Sequence, residues 1–143
     1  MNENWPRWII ASVNDHFDSV ADLVTGEVAG ELNDNETVEV RVNGPYIDEL
    51  SKDDFKITAT VNVVIQSVMS DLEYHNIHRK VGKVLVLFTA ITVKKFGDGV
   101  DDDQTELGCF RKPRSIQVNY FGEIEPQLRL EQASVSAEYE MYV

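Results

Sequence analysis

The residues of this chain that could do chemistry gather in a few short stretches. Asp98, Asp101, Asp102, Asp103 and Glu106 lie close together, and carboxylate oxygens at that density are the ligand type of Ca²⁺ and Mg²⁺. An EF-hand register started at Asp101 puts Glu106 where the turn requires glycine and Lys112 where the bidentate glutamate belongs. The stretch therefore reads as a solvated turn that should not hold Ca²⁺ tightly. His75 and His78, with Glu73 beside them, stand three apart and could share one helix face as the start of a metal site. No cysteine accompanies them and His16 is distant in sequence, so surface or hydrogen-bonded core histidines are expected. Cys109 precedes the basic stretch Arg111-Lys112-Pro113-Arg114. Nearby cations lower a thiol pKa and make it reactive, but a buried, inert thiol is the expectation here. No serine sits in a Gly-x-Ser-x-Gly turn. Gly97-Asp98-Gly99 lacks the third glycine and the Lys-Ser/Thr pair of a phosphate cradle. These residues predict no catalytic, cofactor-binding or metal site, and a protein that is not an enzyme.

Composition narrows the classes further. The 143 residues suit a single domain, 1–143, able to bury about two-thirds of its unfolded surface without disulfides or metal. A 43% hydrophobic content supplies a core, and 27% charged residues supply a water-facing surface. The net charge of -12 opposes a role in coating DNA or RNA, whose affinity comes from clustered Lys and Arg. It equally opposes docking on anionic membranes. Cys109 is the one cysteine, so no disulfide forms within the chain. With no signal-peptide pattern and its longest apolar stretch around Val84–Phe88, the chain is expected in a reducing compartment.

The elements that must position these residues follow from periodicity. Ile9, Val13, Phe17, Val20 and Val24 recur at helical spacing behind Pro6, with Gly26 placed to end the helix. Trp5 and Trp8 at its start are expected to pack on the core. Gly30 to Thr37 reads as a loop. Val38, Val40 and Val42 alternate as a half-buried strand stopped by Asn43-Gly44-Pro45, with a turn region through Asp54. Phe55, Ile57, Ala59, Val61, Val63 and Ile65 hold every odd position of one long strand, whose end could project as a docking surface. Ser70-Asp71-Leu72-Glu73 has capping-box spacing ahead of a second helix carrying Ile77, Val81, Val84, Leu85 and Phe88. After Ile91 and Val93 the polar 96–103 stretch is an exposed loop or hairpin tip. Ile116, Val118 and Tyr120 form another strand, punctuated by Gly122 and Pro126. Leu128 and Leu130 are even, whereas Ala133 to Met141 are apolar at odd positions, which predicts a bulge or break near Glu131-Gln132. The expected fold is α+β: one antiparallel or mixed sheet, with an N-terminal and a second helix packed on it and one unusually long strand.

Pro6-Arg7-Trp8-Ile9, Arg41-Val42-Asn43-Gly44-Pro45-Tyr46, Phe96-Gly97-Asp98-Gly99 and Asn119-Tyr120-Phe121-Gly122, together with this element order, resemble small virion proteins of tailed bacteriophages. The order is similar to that of tail terminator proteins, and a neck or minor tail protein would share it. The resemblance implies a structural virion protein in the tail or neck, assembled in the host cytoplasm. It implies a homo-oligomeric ring, a hexamer, that caps the tail tube and meets the tube protein on one side and the head-completion connector on the other. DNA would pass through without specific binding, and no membrane or cofactor would be involved. Ring closure needs one patch to meet a different patch on the next subunit. The long strand with its polar edge, the Gly97–Glu106 loop and the C-terminal strand are the candidate patches. Two other classes stay open: a soluble acidic regulator that mimics nucleic acid, and a small enzyme of another type.

Overall fold

The structure, a computed structural model, describes residues 3–20, 36–69, 76–96, 105–127 and 129–143. Helix α1 spans Trp5–His16 and α2 spans Asn76–Leu85. The strands are β1 (Thr37–Ser51), β2 (Asp54–Val68), β3 (Ile91–Lys94), β4 (Glu106–Phe110), β5 (Ile116–Glu125) and β6 (Leu130–Tyr142). Four of them form an antiparallel sheet in the order β1-β2-β6-β5, and β3 pairs with β4 in a separate antiparallel ribbon. The chain is a single α+β domain.

The period-two pattern of β2 does what its composition dictates. Ile57, Ala59, Val61, Val63 and Ile65 face one side and are fully buried, as are Ala133, Val135, Tyr139 and Met141 on the paired strand β6. Each fully buried Val or Ile side chain contributes about 1.5–3 kcal/mol of hydrophobic stabilisation. Both helices cover this face: Ile9 and Val13 of α1 and Ile77, Val81 and Val84 of α2 join the same core. Trp8 is buried and Trp5 packs against it edge-on at 6.4 Å, so the tryptophans serve the core. Ser12 of α1 accepts a hydrogen bond from the Lys94 amide at 2.9 Å, which ties α1 to the β3–β4 ribbon. Tyr139 stacks on Phe88 and donates to the Thr89 carbonyl at 3.0 Å. Burial pushes its phenol above the usual range and keeps it a donor.

Four expectations are corrected. Strand β1 does not stop at Asn43-Gly44-Pro45. It passes through a register shift there and resumes at Tyr46, because Gly44 takes a φ of +108° that side-chain-bearing residues avoid. No bulge interrupts β6 near Glu131-Gln132, since its register with β2 runs unshifted from Leu130 to Tyr142. The irregularity sits instead in the partner β5, around Gly122 (φ +71°) and again before Glu125. Helix α1 ends at His16, and Phe17 and Val20 carry the buried stripe onward from outside it. Two acids, Asp15 and Asp18, flank that end, where the helix dipole disfavours negative charge. The Asp18 and Val20 amides bond three residues back, a tightened turn. Finally, the long strand does not project bare. β2 is paired on both sides for almost its whole length, by β1 and by β6. Val24, Gly26, the Ser70–Glu73 capping box and Leu128 lie outside the described residues.

Gly82 lies within α2, and a methyl group added there would meet nothing within 4 Å. Gly82→Ala is therefore expected to stabilise the fold by about 0.5–1 kcal/mol through helix propensity alone. A thermal melt should show the midpoint rising by roughly 2–4 °C. A fall would mean that Gly82 is needed for something other than a helical backbone.

Candidate functional site

The sequence candidates for chemistry do not converge. His16 closes α1 and donates from Nε2 to the Leu87 carbonyl at 2.8 Å, a link between the helix and the turn after α2. His78 projects from α2 onto the Tyr120 ring of β5, with centroids 4.5 Å apart. His75, Glu73 and residues 97–104, including Asp98, Asp101, Asp102 and Asp103, lie outside the described residues. Glu106 opens β4 and is exposed. Among the described residues no three His, Cys, Asp or Glu side chains are grouped as a metal site. Cys109 was expected to be buried and is exposed. Strand alternation is the cause, because its neighbour Phe110 is fully buried and turns position 109 outward. Among the described residues no helix is long and apolar enough to cross a membrane.

What the fold does assemble is surface. The strand order leaves one edge of β1 and one edge of β5 without a partner strand among the described residues. Of the three patches expected to meet a neighbour, the long strand β2 and the C-terminal strand β6 are interior strands, so neither offers a free edge. The third, Gly97–Glu106, falls almost wholly outside the described residues. The two open edges differ from each other. At the hairpin end of β1, Tyr46 and Leu50 are 60% and 58% exposed, with Tyr142 and Val143 exposed on the adjoining chain end. On β5, at the opposite edge, Tyr120, Phe121 and Ile124 are exposed. The bulge at Gly122 belongs to that strand. Neither patch was legible as a patch in the sequence, although Tyr120 and Phe121 stand beside a glycine that signals a bulge.

The second face of the sheet is polar. Register places Thr58, Thr60, Asn62 and Gln66 of β2 opposite Glu140, Glu138, Ser136 and Gln132 of β6, and Gln66 donates to Gln132 at 3.1 Å. Where β5 begins, this face opens into a cleft of about 250 Å³ lined by Arg111, Lys112, Pro113, Arg114, Glu138 and Glu140. Pro113 is buried, which anchors the stretch, while Arg111, Lys112 and Arg114 stay exposed around it. The Arg111 amide bonds the Glu140 carbonyl at 3.1 Å and its guanidinium lies over the Tyr142 ring at 5.5 Å. Glu140 is already paired with Lys56 at 3.4 Å. Among the described residues none of the three cations forms an ion pair. Three of the chain's 13 basic residues thus line one cleft of an otherwise acidic protein.

Comparison with protein-family models and with curated proteins gave no match for this chain.

Proposed function

We propose that the chain is a non-catalytic assembly subunit that joins copies of itself head to tail into a closed ring. Its place, on the resemblance of its motifs and element order, is the head-proximal end of a phage tail, as a tail terminator. The observation that carries the ring is the pair of unlike apolar patches on opposite edges of one sheet, Tyr46–Leu50 and Tyr120–Ile124. Unlike patches make heterologous contacts, and a heterologous contact repeated by rotation closes a ring. Burying such side chains offsets the entropy of association. The bulges and charges along both edges, Glu39 with Arg41 on β1 and Glu123 with Glu125 on β5, oppose uncontrolled strand-to-strand pairing. Side-chain contact at the two patches is then the favoured mode. In this reading the ring, a hexamer, meets the tube protein below and the head connector above. DNA passes through without being held, in keeping with a charge of -12.

Electron microscopy of particles made without the protein tests the virion role. Tails of uncontrolled length or unjoined heads are expected, and normal infectious particles would sink it. For the ring itself, Leu50→Asp and Phe121→Asp each change an exposed residue, so the fold should survive in both. Each is expected to abolish the ring, in solution or on tails, as read by light scattering and negative-stain images. Retained rings in both variants would remove the patches from the interface.

A further inference from the structure

We propose that the Arg111–Arg114 cleft binds the acidic segment 98–103 of a neighbouring copy, which makes it the charged half of the subunit interface. The inference rests on the ring reading above and adds the identity of one contact.

Charge complementarity is the first support. The cleft presents three exposed cations without ion pairs among the described residues, on a chain with 25 acidic and 13 basic residues. Most surfaces of such a protein repel one another, and a cationic cleft is where a second copy can approach. Asp98, Asp101, Asp102 and Asp103 form the densest run of carboxylates in the sequence. Arginine guanidinium groups bind carboxylates through paired, charge-assisted hydrogen bonds.

Chain length is the second support, and it favours a neighbour over the same chain. The segment is tethered at Phe96 and Thr105, beside each other because the Lys95 amide bonds the Thr105 carbonyl at 2.9 Å. Asp101 is four residues from Thr105, a reach of about 14 Å at full extension. Arg111 lies six residues from Thr105 beyond the extended strand β4, about 20 Å away at strand rise. Arg114 comes three residues later. Doubling back along β4, Asp101 alone could approach Arg111, and only with the main chain and both side chains at full stretch. A second copy has no such restriction.

The lining carboxylates argue for a peptide over a nucleic acid. Glu138 lines the cleft and repels phosphates and aspartates alike, so a fitting occupant must also bring N–H donors to it. The segment Gly97-Asp98-Gly99-Val100-Asp101-Asp102-Asp103-Gln104 carries backbone and Gln104 N–H donors that Glu138 can accept.

Two measurements on the full chain test this. In the first, a synthetic peptide of residues 96–105 is titrated into the protein at low salt and followed by backbone NMR shifts. Shifts centred on 111–115 and 138–140 are expected. Affinity should fall about tenfold or more with Arg111→Glu and Arg114→Glu, or when the four peptide aspartates become asparagine. Absence of binding at millimolar peptide, or stronger competition by a short DNA duplex at the same residues, would overturn the proposal. In the second, light scattering follows self-association of three chains. One carries Arg111→Glu with Arg114→Glu, one Asp101→Lys with Asp102→Lys, and one all four changes. Each pair alone should weaken association, and the fourfold variant should regain it because both partners have switched sign. If the chain associates but neither pair matters, the cleft contact is wrong while the ring reading stands. If the peptide binds as described but the chain and its tails never form rings, the ring reading falls while the cleft still recognises the segment.

Discussion

Val61→Asp is expected to leave no cooperatively folded protein at all. Val61 is fully buried at the middle of β2, with Val42 of β1 on one side and Ala137 of β6 on the other. An ionised carboxylate there has lost its water, and its register neighbours on both sides are apolar. The cost is several kcal/mol whether it stays charged or takes up a proton. A domain of this size has only about 5–15 kcal/mol of stability in total. The measurement is a thermal melt followed by circular dichroism, with Val64→Thr as the companion. Val64 stands three positions along the same strand on the half-exposed polar face, so Val64→Thr should cost under about 1 kcal/mol. If both variants melt alike, the assignment of odd positions to the core is wrong.

That same contrast explains what could be read in advance. Strict alternation from Ile57 to Ile65 and from Ala133 to Met141 announces buried faces, because one residue in two must point each way. The stripe Ile77, Val81, Val84 announces α2 for the analogous reason at period 3.6. The passage of β1 through Gly44-Pro45 was hidden, since the same residues that end a strand also build a bulge. Edges were hidden too. A strand's own sequence says which side chains face inward but not which strands flank it, so β2 and β6 looked available for docking. The β3–β4 ribbon was not legible as strands, because Ile91 and Val93 are only two alternating apolar positions and the return strand has only Leu107 and Phe110. For Cys109 residue type suggests burial, whereas the pairing of β4 with β3 decides its side and leaves it exposed. The basic cleft was visible as a run, Arg111 to Arg114. Its concavity depends on Glu138 and Glu140, more than twenty residues further along the chain.

Breaking the Lys80–Glu36 pair is the other change expected to act strongly, and nothing about this pair was evident from periodicity except that Lys80 sits on the buried stripe of α2. Its ammonium lies 2.8 Å from Glu36, and the two side chains are only 6% and 12% exposed. The second carboxylate oxygen of Glu36 accepts the Val68 amide at 3.2 Å. One glutamate just ahead of β1 thereby joins α2 to the far end of β2. Removing a single partner strands a buried charge, which costs about 3–5 kcal/mol. Lys80→Met should therefore lower stability by that order in urea unfolding, and Glu36→Leu should do so as well while also orphaning the Val68 amide. The double variant has no buried charge left. It should be destabilised by clearly less than the sum of the two single changes, the remainder reflecting the lost bond to Val68. Strict additivity in the cycle would show that the two groups do not interact in solution. If instead the double variant matches the parent, the pair contributes placement of α2 on the sheet and little net stability. Limited proteolysis of that variant would then show whether the helix stays docked.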